Sequence, residues 1–264
     1  MDSESIPLTP ALKAQEDRDE EEHEDIESAP LIVGSEEEAN MGSDEQYTRA
    51  EGREGDTVAL IGAVLFAGAL VIMTWVMVFL NNPMSLGWFF WHPTLQSLAF
   101  GAFTYGILTL QPTMQPKTKL AGLRRHQLIM LAVGLPSITL GTFAIWWNKH
   151  IGSAHHAATW HGLLGYITVG WLLLQVLLGG GSVWFNGRLV GGNHRAKLVW
   201  KYHRLSGYLL FLLLLLTTHL GGAWSNWAAV NSPLVVRWIA YIIAPVVILA
   251  AILMRIRWLK MRLL

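Results

Sequence analysis

Six apolar stretches, each roughly 18 to 24 residues long, restrict this chain more than any other feature, because runs of that length match a hydrocarbon core about 30 Å thick. They cover 57–80, 90–110, 126–147, 157–179, 203–222 and 236–254. No water reaches that layer to satisfy free backbone groups, so each stretch is expected to be a helix. The fold class expected is therefore an all-α integral membrane protein of six transmembrane helices. The LLLLL of the fifth span and the VVILAAIL of the sixth are the most apolar. The second and third are more polar, which suits helices lining a cofactor cavity.

Charge divides the chain in two. All 19 Asp and Glu residues lie between Asp2 and Asp56, where only Lys13, Arg18, Arg49 and Arg53 of the 19 basic residues are found. From Thr57 to Leu264 there is no carboxylate side chain at all. Residues 1–56 read as a disordered acidic cytosolic tail, since stretches such as EDRDEEEHEDIES bury too little apolar surface to offset chain entropy. Residues 57–264 read as the six-helix transmembrane domain with a short basic C-terminal end. The tail lacks the positive start and early apolar run of a cleavable signal, so insertion is expected to begin at the first span. The absence of cysteine excludes disulfides, iron-sulfur clusters, thiolate ligands and covalently attached haem. Catalysis by a carboxylate or thiol within the membrane is excluded with them.

Lys and Arg near span ends accumulate on the cytoplasmic side. On the side of the tail stand Lys117, Lys119, Arg124, Arg125, Arg188, Arg195, Lys197, Lys201, Arg204, Arg255, Arg257, Lys260 and Arg262; the far side has Lys149 and Arg237. That asymmetry makes the tail side, and both termini, cytosolic. The far side collects an aromatic belt of Trp88, Trp91, Trp146, Trp147, Trp160, Trp224, Trp227 and Trp238.

An ionisable group inside a span is costly and is there for a partner. His92, His126, His161 and His203 open the second, third, fourth and fifth spans. Because successive helices alternate in direction, His92 and His161 lie toward the far side, and His126 and His203 toward the cytosolic side. Each pair can present one imidazole to either face of a haem iron, an arrangement suited to electron transfer. The middle four helices are thus expected to form a dihaem bundle, with irons roughly 20 Å apart. Gly165 and Gly207 follow His161 and His203 by four residues, on the same helix face, where a flat macrocycle needs a neighbour without a side chain. Gln96 and Met130 hold the corresponding positions on the other two helices.

The remaining histidines are weaker candidates. His23 is in the tail and His194 in a basic loop. His219 reads as a packed residue in preference to a substrate contact. His150, His155 and His156 cluster with Lys149 in a far-side connection, where a solvated loop is favoured over a metal or anionic-substrate site. Two rival functions stand beside electron transfer: a histidine-based proton-coupled transporter, disfavoured by the lack of intramembrane carboxylates, and a noncatalytic membrane scaffold with an acidic recruiting tail. A visible haem spectrum separates the first reading from both.

The segments WHPTLQ, RRHQL, WHGLLGY followed by Gln175, and KYHRLSGY, in this order, resemble the eukaryotic cytochrome b561 family in its compact six-helix form, over about 57–254. The resemblance implies two non-covalent b-type haems and a transmembrane oxidoreductase. It also implies ascorbate as cytosolic donor, monodehydroascorbate or a ferric complex as acceptor, and a homodimer. Relatives bind ascorbate through basic residues near the cytosolic haem. Lys117, Lys119, Arg124, Arg125, Lys197, Lys201 and Arg204 are available here, although the Lys that some relatives carry four residues before the third-span histidine is Gly122. Arg125 and Arg204, adjacent to candidate ligands, are favoured for substrate contact, followed by Lys119, Lys201 and, on the far side, His150. Glu27-Ser-Ala-Pro-Leu31-Ile32 resembles an acidic dileucine sorting signal and favours a vacuolar, lysosomal or endosomal membrane over the plasma membrane.

Overall fold

The computed structural model describes residues 52–111 and 115–257. The acidic stretch through Glu51, with His23 and the Leu31-Ile32 pair, lies outside the described residues, as do Lys260, Arg262 and the side chains of His194 and Lys197. The described residues form helices joined by short connections, with no strand among them. The α-helices of five or more residues are α1 (Asp56–Leu80), α2 (Trp91–Leu110), α3 (Pro116–Leu128), α4 (Leu135–Ile151), α5 (Trp160–Val183), α6 (Asn193–Trp224), α7 (Asn226–Asn231), α8 (Leu234–Trp238) and α9 (Ala244–Arg255). Residues 52–112 and 125–264 make one compact unit, and residues 113–124, which include Lys117, Lys119 and Arg124, belong to a second.

Five helical stretches are long and apolar enough to cross a membrane: Asp56–Leu80, Lys117–Ile151, Trp160–Val190, Leu198–Trp224 and Leu234–Arg255. The sixth long helix, α2, has 20 residues, about 30 Å at 1.5 Å per residue, but carries Thr94, Gln96, Ser97 and Thr104 inward. Apolar side chains such as Leu65, Ile72, Phe79, Leu173 and Leu177 point outward and are exposed, as lipid-facing residues must be. The protein is a multi-pass membrane protein.

Between helices, small residues allow close approach, because burying Leu against Leu gains little over burying it in lipid. Ala59, Ala63 and Ala67 form a buried stripe on α1, one residue per turn. They share a core with Ala244, Ile248 and Ala251 of α9 and with Ala99 and Phe103 of α2. The neighbouring pairs that build the bundle are α1 with α9, α1 with α2, α2 with α4, and α5 with α6.

Two prolines shape their helices in the same way. A π-helical turn, Ile129–Gly134, ends two residues before Pro136, and another, Ile239–Ile243, ends two before Pro245. A helical proline has no N–H for the carbonyl four residues back and collides with it, and a wider turn relieves the collision. The carbonyl four residues before Pro245 belongs to Tyr241, and His219 Nδ1 lies 2.7 Å from it. Trp224 Nε1 donates to His219 Nε2 at 3.0 Å, so Nδ1 carries the ring proton and gives it to Tyr241. Both nitrogens of His219 are therefore spent on structure.

At one end of the bundle, Asp56 is buried with Arg255. Arg257 Nη2 lies 2.5 Å from Asp56 Oδ2, and the Arg53 N–H donates to the same oxygen at 2.7 Å. Arg255 donates to the Asp56 carbonyl and, at 2.9 Å, to the Leu108 carbonyl near the end of α2. Asp56 and Arg255 together thus form a clasp joining the start of α1, the end of α2 and the end of α9.

Candidate functional site

The four histidines enter the bundle from four different helices. Thr159 caps α5 by accepting the Gly162 N–H at 3.1 Å, which starts the helix at Trp160 and puts His161 in its first turn. His92 likewise sits at the start of α2, behind the turn Gly87–Phe90. His126 lies near the end of α3, and His203 lies ten residues into α6, whose helix begins well before the apolar run.

The rings meet in pairs. His92 and His161 have ring centroids 5.9 Å apart, and His126 and His203 have theirs 6.5 Å apart. These are the two pairs expected from alternating helix direction. Two imidazoles on opposite faces of one metal ion, each bonded at about 2 Å, have ring centres about 6 Å apart. All four rings are half-buried. Among the described residues no group of three or more His, Cys, Asp or Glu could hold a metal on protein ligands alone.

Backbone carbonyls orient three of the rings. His92 Nδ1 lies 3.0 Å from the Gly141 oxygen, His161 Nδ1 2.9 Å from that of Thr217, and His126 Nδ1 3.3 Å from that of Gly106. A nitrogen facing a carbonyl must be the protonated one, so Nε2 is left with its lone pair. This is how metal-binding histidines are commonly held.

Glycines make the seats. A Cβ at Gly221 would fall 2.5 Å from His161 Cε1, and one at Gly179 would fall 2.6 Å from His203 Cε1. The contacts are reciprocal: His161 of α5 rests on α6, and His203 of α6 rests on α5. In the other hairpin His92 of α2 reaches Gly141 of α4, while His126 of α3 reaches back to Gly106 of α2. Between the two layers, Phe100 of α2 stacks on Phe211 of α6 with centroids 6.0 Å apart. Fourteen residues separate His92 from Gly106, and the same number separate His203 from Thr217, so the layers are about 21 Å apart at 1.5 Å per residue.

The other candidates take varied positions. A Cβ at Gly165 would meet nothing nearer than Thr217 Cγ2 at 3.9 Å, leaving open space beside His161. At Gly207 the space is filled by the Gln175 amide, 2.9 Å from where a Cβ would be. Gln96 donates to Thr142 Oγ1 at 2.9 Å, and Met130 lies over Gly106, so both tie α2 to its partner helix. Arg125 is exposed and donates to the Thr109 carbonyl at 3.4 Å. Arg204 directly follows His203 and is half-buried, and Lys201 Nζ lies 5.4 Å from the Tyr202 ring centroid. Lys119 sits in the first turn of α3, its N–H bonded to the Gln115 oxygen at 2.8 Å.

At the opposite end, His150 stacks on Trp146 with centroids 5.4 Å apart. His156 stacks on the same indole at 6.0 Å, and its Nδ1 lies 3.3 Å from Tyr166 Oη. Lys149 donates to the His155 carbonyl at 3.2 Å and Arg237 to that of Ala223, also at 3.2 Å.

Sequence reading overlooked Gly106, Gly141, Gly179, Gly221 and Thr217. A signal for two of them was present. Gly179 follows His161 by 18 residues, as Gly221 follows His203, and 18 residues are five full turns, so each glycine shares a face with its histidine.

Residues 91–229 match eukaryotic cytochrome b561. The chain belongs to the eukaryotic cytochrome b561 family. A transmembrane reductase of Bos taurus, CYB561D2, is 32% identical over 156 residues, which are 58% of this chain and 68% of that protein. No solved structure matches. Membership of the cytochrome b561 family implies binding of haem b and transmembrane electron transfer, and makes the protein an oxidoreductase. The residues present fit such a group: paired imidazoles at the separation a metal ion requires, with nitrogens directed by their neighbours, in a region without competing carboxylates.

Proposed function

We propose that this protein carries electrons from cytosolic ascorbate through two b-type haems to monodehydroascorbate or a ferric complex on the other side of the membrane. The observation that carries the reading is the pair of imidazole couples at 5.9 and 6.5 Å, one at each end of the bundle. His92 and His161 would hold one haem, and His126 and His203 the other. Haem, when bound, supplies a one-electron carrier. The chain's own residues choose its ligands, fix their rotation and set the distance between the two positions. Each turnover takes one electron from ascorbate, which loses a proton to become monodehydroascorbate, and converts one ferric ion to ferrous.

The His126/His203 end faces the donor. By alternation of the spans in sequence, 13 of the 15 Lys and Arg from residue 57 onward fall on its side, against two on the other, which favours a cytosolic location with both termini on the same side. An ascorbate anion would be met by Arg125 and Arg204, each adjacent in sequence to a candidate ligand, with Lys119 and Lys201 as further contacts. At the acceptor end, His150 stands beside Trp146 at the membrane surface. A homodimer, and an endomembrane location through Leu31 and Ile32, complete the proposal.

Vesicles test it. With haem-loaded protein in the membrane and ascorbate sealed inside, an external ferric chelate should be reduced. Fully haem-loaded protein that leaves the chelate ferric would overturn the reading, and a purified chain without reduced-minus-oxidised haem absorbance would overturn its basis.

A further inference from the structure

The far-side end of α4 and its connection to α5 hold three histidines outside the two imidazole couples: His150, His155 and His156. The chain here folds back on the end of α4. The Ser153 N–H donates to the His150 carbonyl at 3.2 Å, the Ala154 N–H to that of Lys149 at 2.9 Å, and Lys149 Nζ to that of His155 at 3.2 Å. Ser153 and Ala157, at φ 50° and 53°, take the left-handed conformation that side chains avoid, and such residues persist only where their surroundings hold them. His156 lies between these two residues. Its ring is laid over the Trp146 indole, 26° from parallel, and its Nδ1 meets Tyr166 Oη at 3.3 Å. A loop that reads from sequence as merely solvated is thus built to hold one ring.

Trp146 and Tyr166 tie that ring to the His92/His161 layer. Tyr166 is five residues beyond His161 on α5. Trp146 is five beyond Gly141, whose carbonyl orients His92, and so stands about 7.5 Å along α4 from that layer. Lys149, His150 and His155 are the charged and titratable neighbours on this side of the ring, and Tyr166 is the one on α5. No carboxylate side chain occurs from Thr57 onward, so the local field favours anions.

We propose that His156 donates a proton to an anionic enediol radical, monodehydroascorbate, as that acceptor receives its electron at this end of the bundle. This rests on the function proposed above. One electron alone would turn the monodehydroascorbate radical anion into the ascorbate dianion; electron and proton together give the monoanion, with one new O–H bond. The electron is that of the haem held by His92 and His161, which passes from ferrous to ferric. The proton leaves His156 Nε2 and is replaced from water. Histidine suits the step because its side chain gains and loses a proton near neutral pH. His156 is exposed, and its Nε2 has no hydrogen-bond partner among the described residues. A charged ring gives Nδ1–H to Tyr166 Oη and carries its second proton on Nε2. Once that proton has gone, the neutral ring keeps the same bond to Tyr166.

The test uses the full haem-loaded chain in sealed vesicles with ascorbate inside. The external acceptor is either monodehydroascorbate, formed by a radiolysis pulse and followed by its paramagnetic resonance against empty vesicles, or ferricyanide, an anion that takes an electron without a proton. Wild type, His156→Gln, His156→Ala and His155→Gln are compared in ordinary and heavy water. Reduction of monodehydroascorbate should slow about 100-fold in His156→Gln, the lower end of what a general acid supplies, and should lose the slowing that heavy water imposes on the wild type. Free imidazole should restore part of the rate in His156→Ala. Ferricyanide, needing no proton, should be reduced by His156→Gln at the wild-type rate, and His155→Gln should match the wild type with both acceptors.

An unchanged rate with monodehydroascorbate in His156→Gln, or equal slowing with both acceptors, would overturn the proposal. So would a wild type that reduces ferricyanide but not monodehydroascorbate, a result that leaves transmembrane electron transfer standing. Haem-loaded wild type that reduces neither acceptor would overturn the proposed function and this proposal with it.

Discussion

The two histidine layers are built from the same parts and finished differently. At the Trp160 end, both rings are held by backbone carbonyls, at 3.0 and 2.9 Å. At the Asp56 end, His126 has a longer contact of 3.3 Å, and the His203 ring faces the Gln175 main chain outside close hydrogen-bond geometry. Backbone carbonyls inside packed helices are rigid, so the first layer is set before any cofactor arrives. The second is met by carbonyls at looser geometry, beside a clasp of charges at the same end of the bundle. Similar ring separations can therefore conceal unequal preorganisation.

The largest effect expected comes from the ligands themselves. His161→Ala and His203→Ala should each lower the haem content from two per chain to one and abolish transfer across the membrane. Optical redox titration of the two variants should show a different component missing in each. If either variant loses both haems or neither, the two layers are not separate sites.

Next is the clasp. Asp56→Ala leaves Arg257 without its carboxylate and removes the opposite charge beside buried Arg255, whose two carbonyl bonds remain, and stranding a buried charge costs about 3–5 kcal/mol. Its melting temperature should fall, and His126/His203 haem should be lost first on heating. Equal loss of both components would show that the clasp does not favour the nearer layer.

A smaller effect is expected at the seats. A methyl added by Gly221→Ala or Gly179→Ala would press on an imidazole at 2.5 or 2.6 Å, and overpacking of this kind costs about 1–3 kcal/mol. The resonance of the adjacent haem should shift as the ring turns. Gly170→Ala, where a Cβ would meet nothing within 4 Å, should leave both resonances in place. Smallest is His219→Phe, which removes the hydrogen bond to the Tyr241 carbonyl and should cost about 1 kcal/mol in thermal stability. Its haem spectrum should remain that of the wild type.

Much of this was legible in the sequence. Apolar length gives the helices, and alternation of helix direction brings His92 to His161 and His126 to His203. What escaped was carried by residues without a chemical signature of their own. Gly106, Gly141 and Thr217 act through main-chain oxygens, and any residue has one; only packing tells which oxygen faces a ring. Gly207 was read for a macrocycle's sake, yet its missing side chain also accommodates the Gln175 amide. Asp56 looked like the end of a solvated acidic tail because its partners, Arg255 and Arg257, are about 200 residues away in sequence. His219 could be read as packing, but the reason for it, a carbonyl left over by Pro245, needs the three-dimensional neighbour.

The π-helical turn at Ile129–Gly134 has a consequence for which lengths of chain this bundle tolerates. His92 and Gly106 are 14 residues apart, whereas their counterparts on the antiparallel partner, His126 and Gly141, are 15 apart. A π turn takes one residue more than an α turn, and it lies between those two positions. The surplus residue is absorbed there, and both ends of the hairpin stay in step. Elsewhere in these helices an inserted or deleted residue would rotate everything beyond it by about 100° and shift it by 1.5 Å, turning one of the two layers away from its partner. The bundle should accept many substitutions but few changes of length, and a deletion within Ile129–Gly134 should be the one whose damage is least.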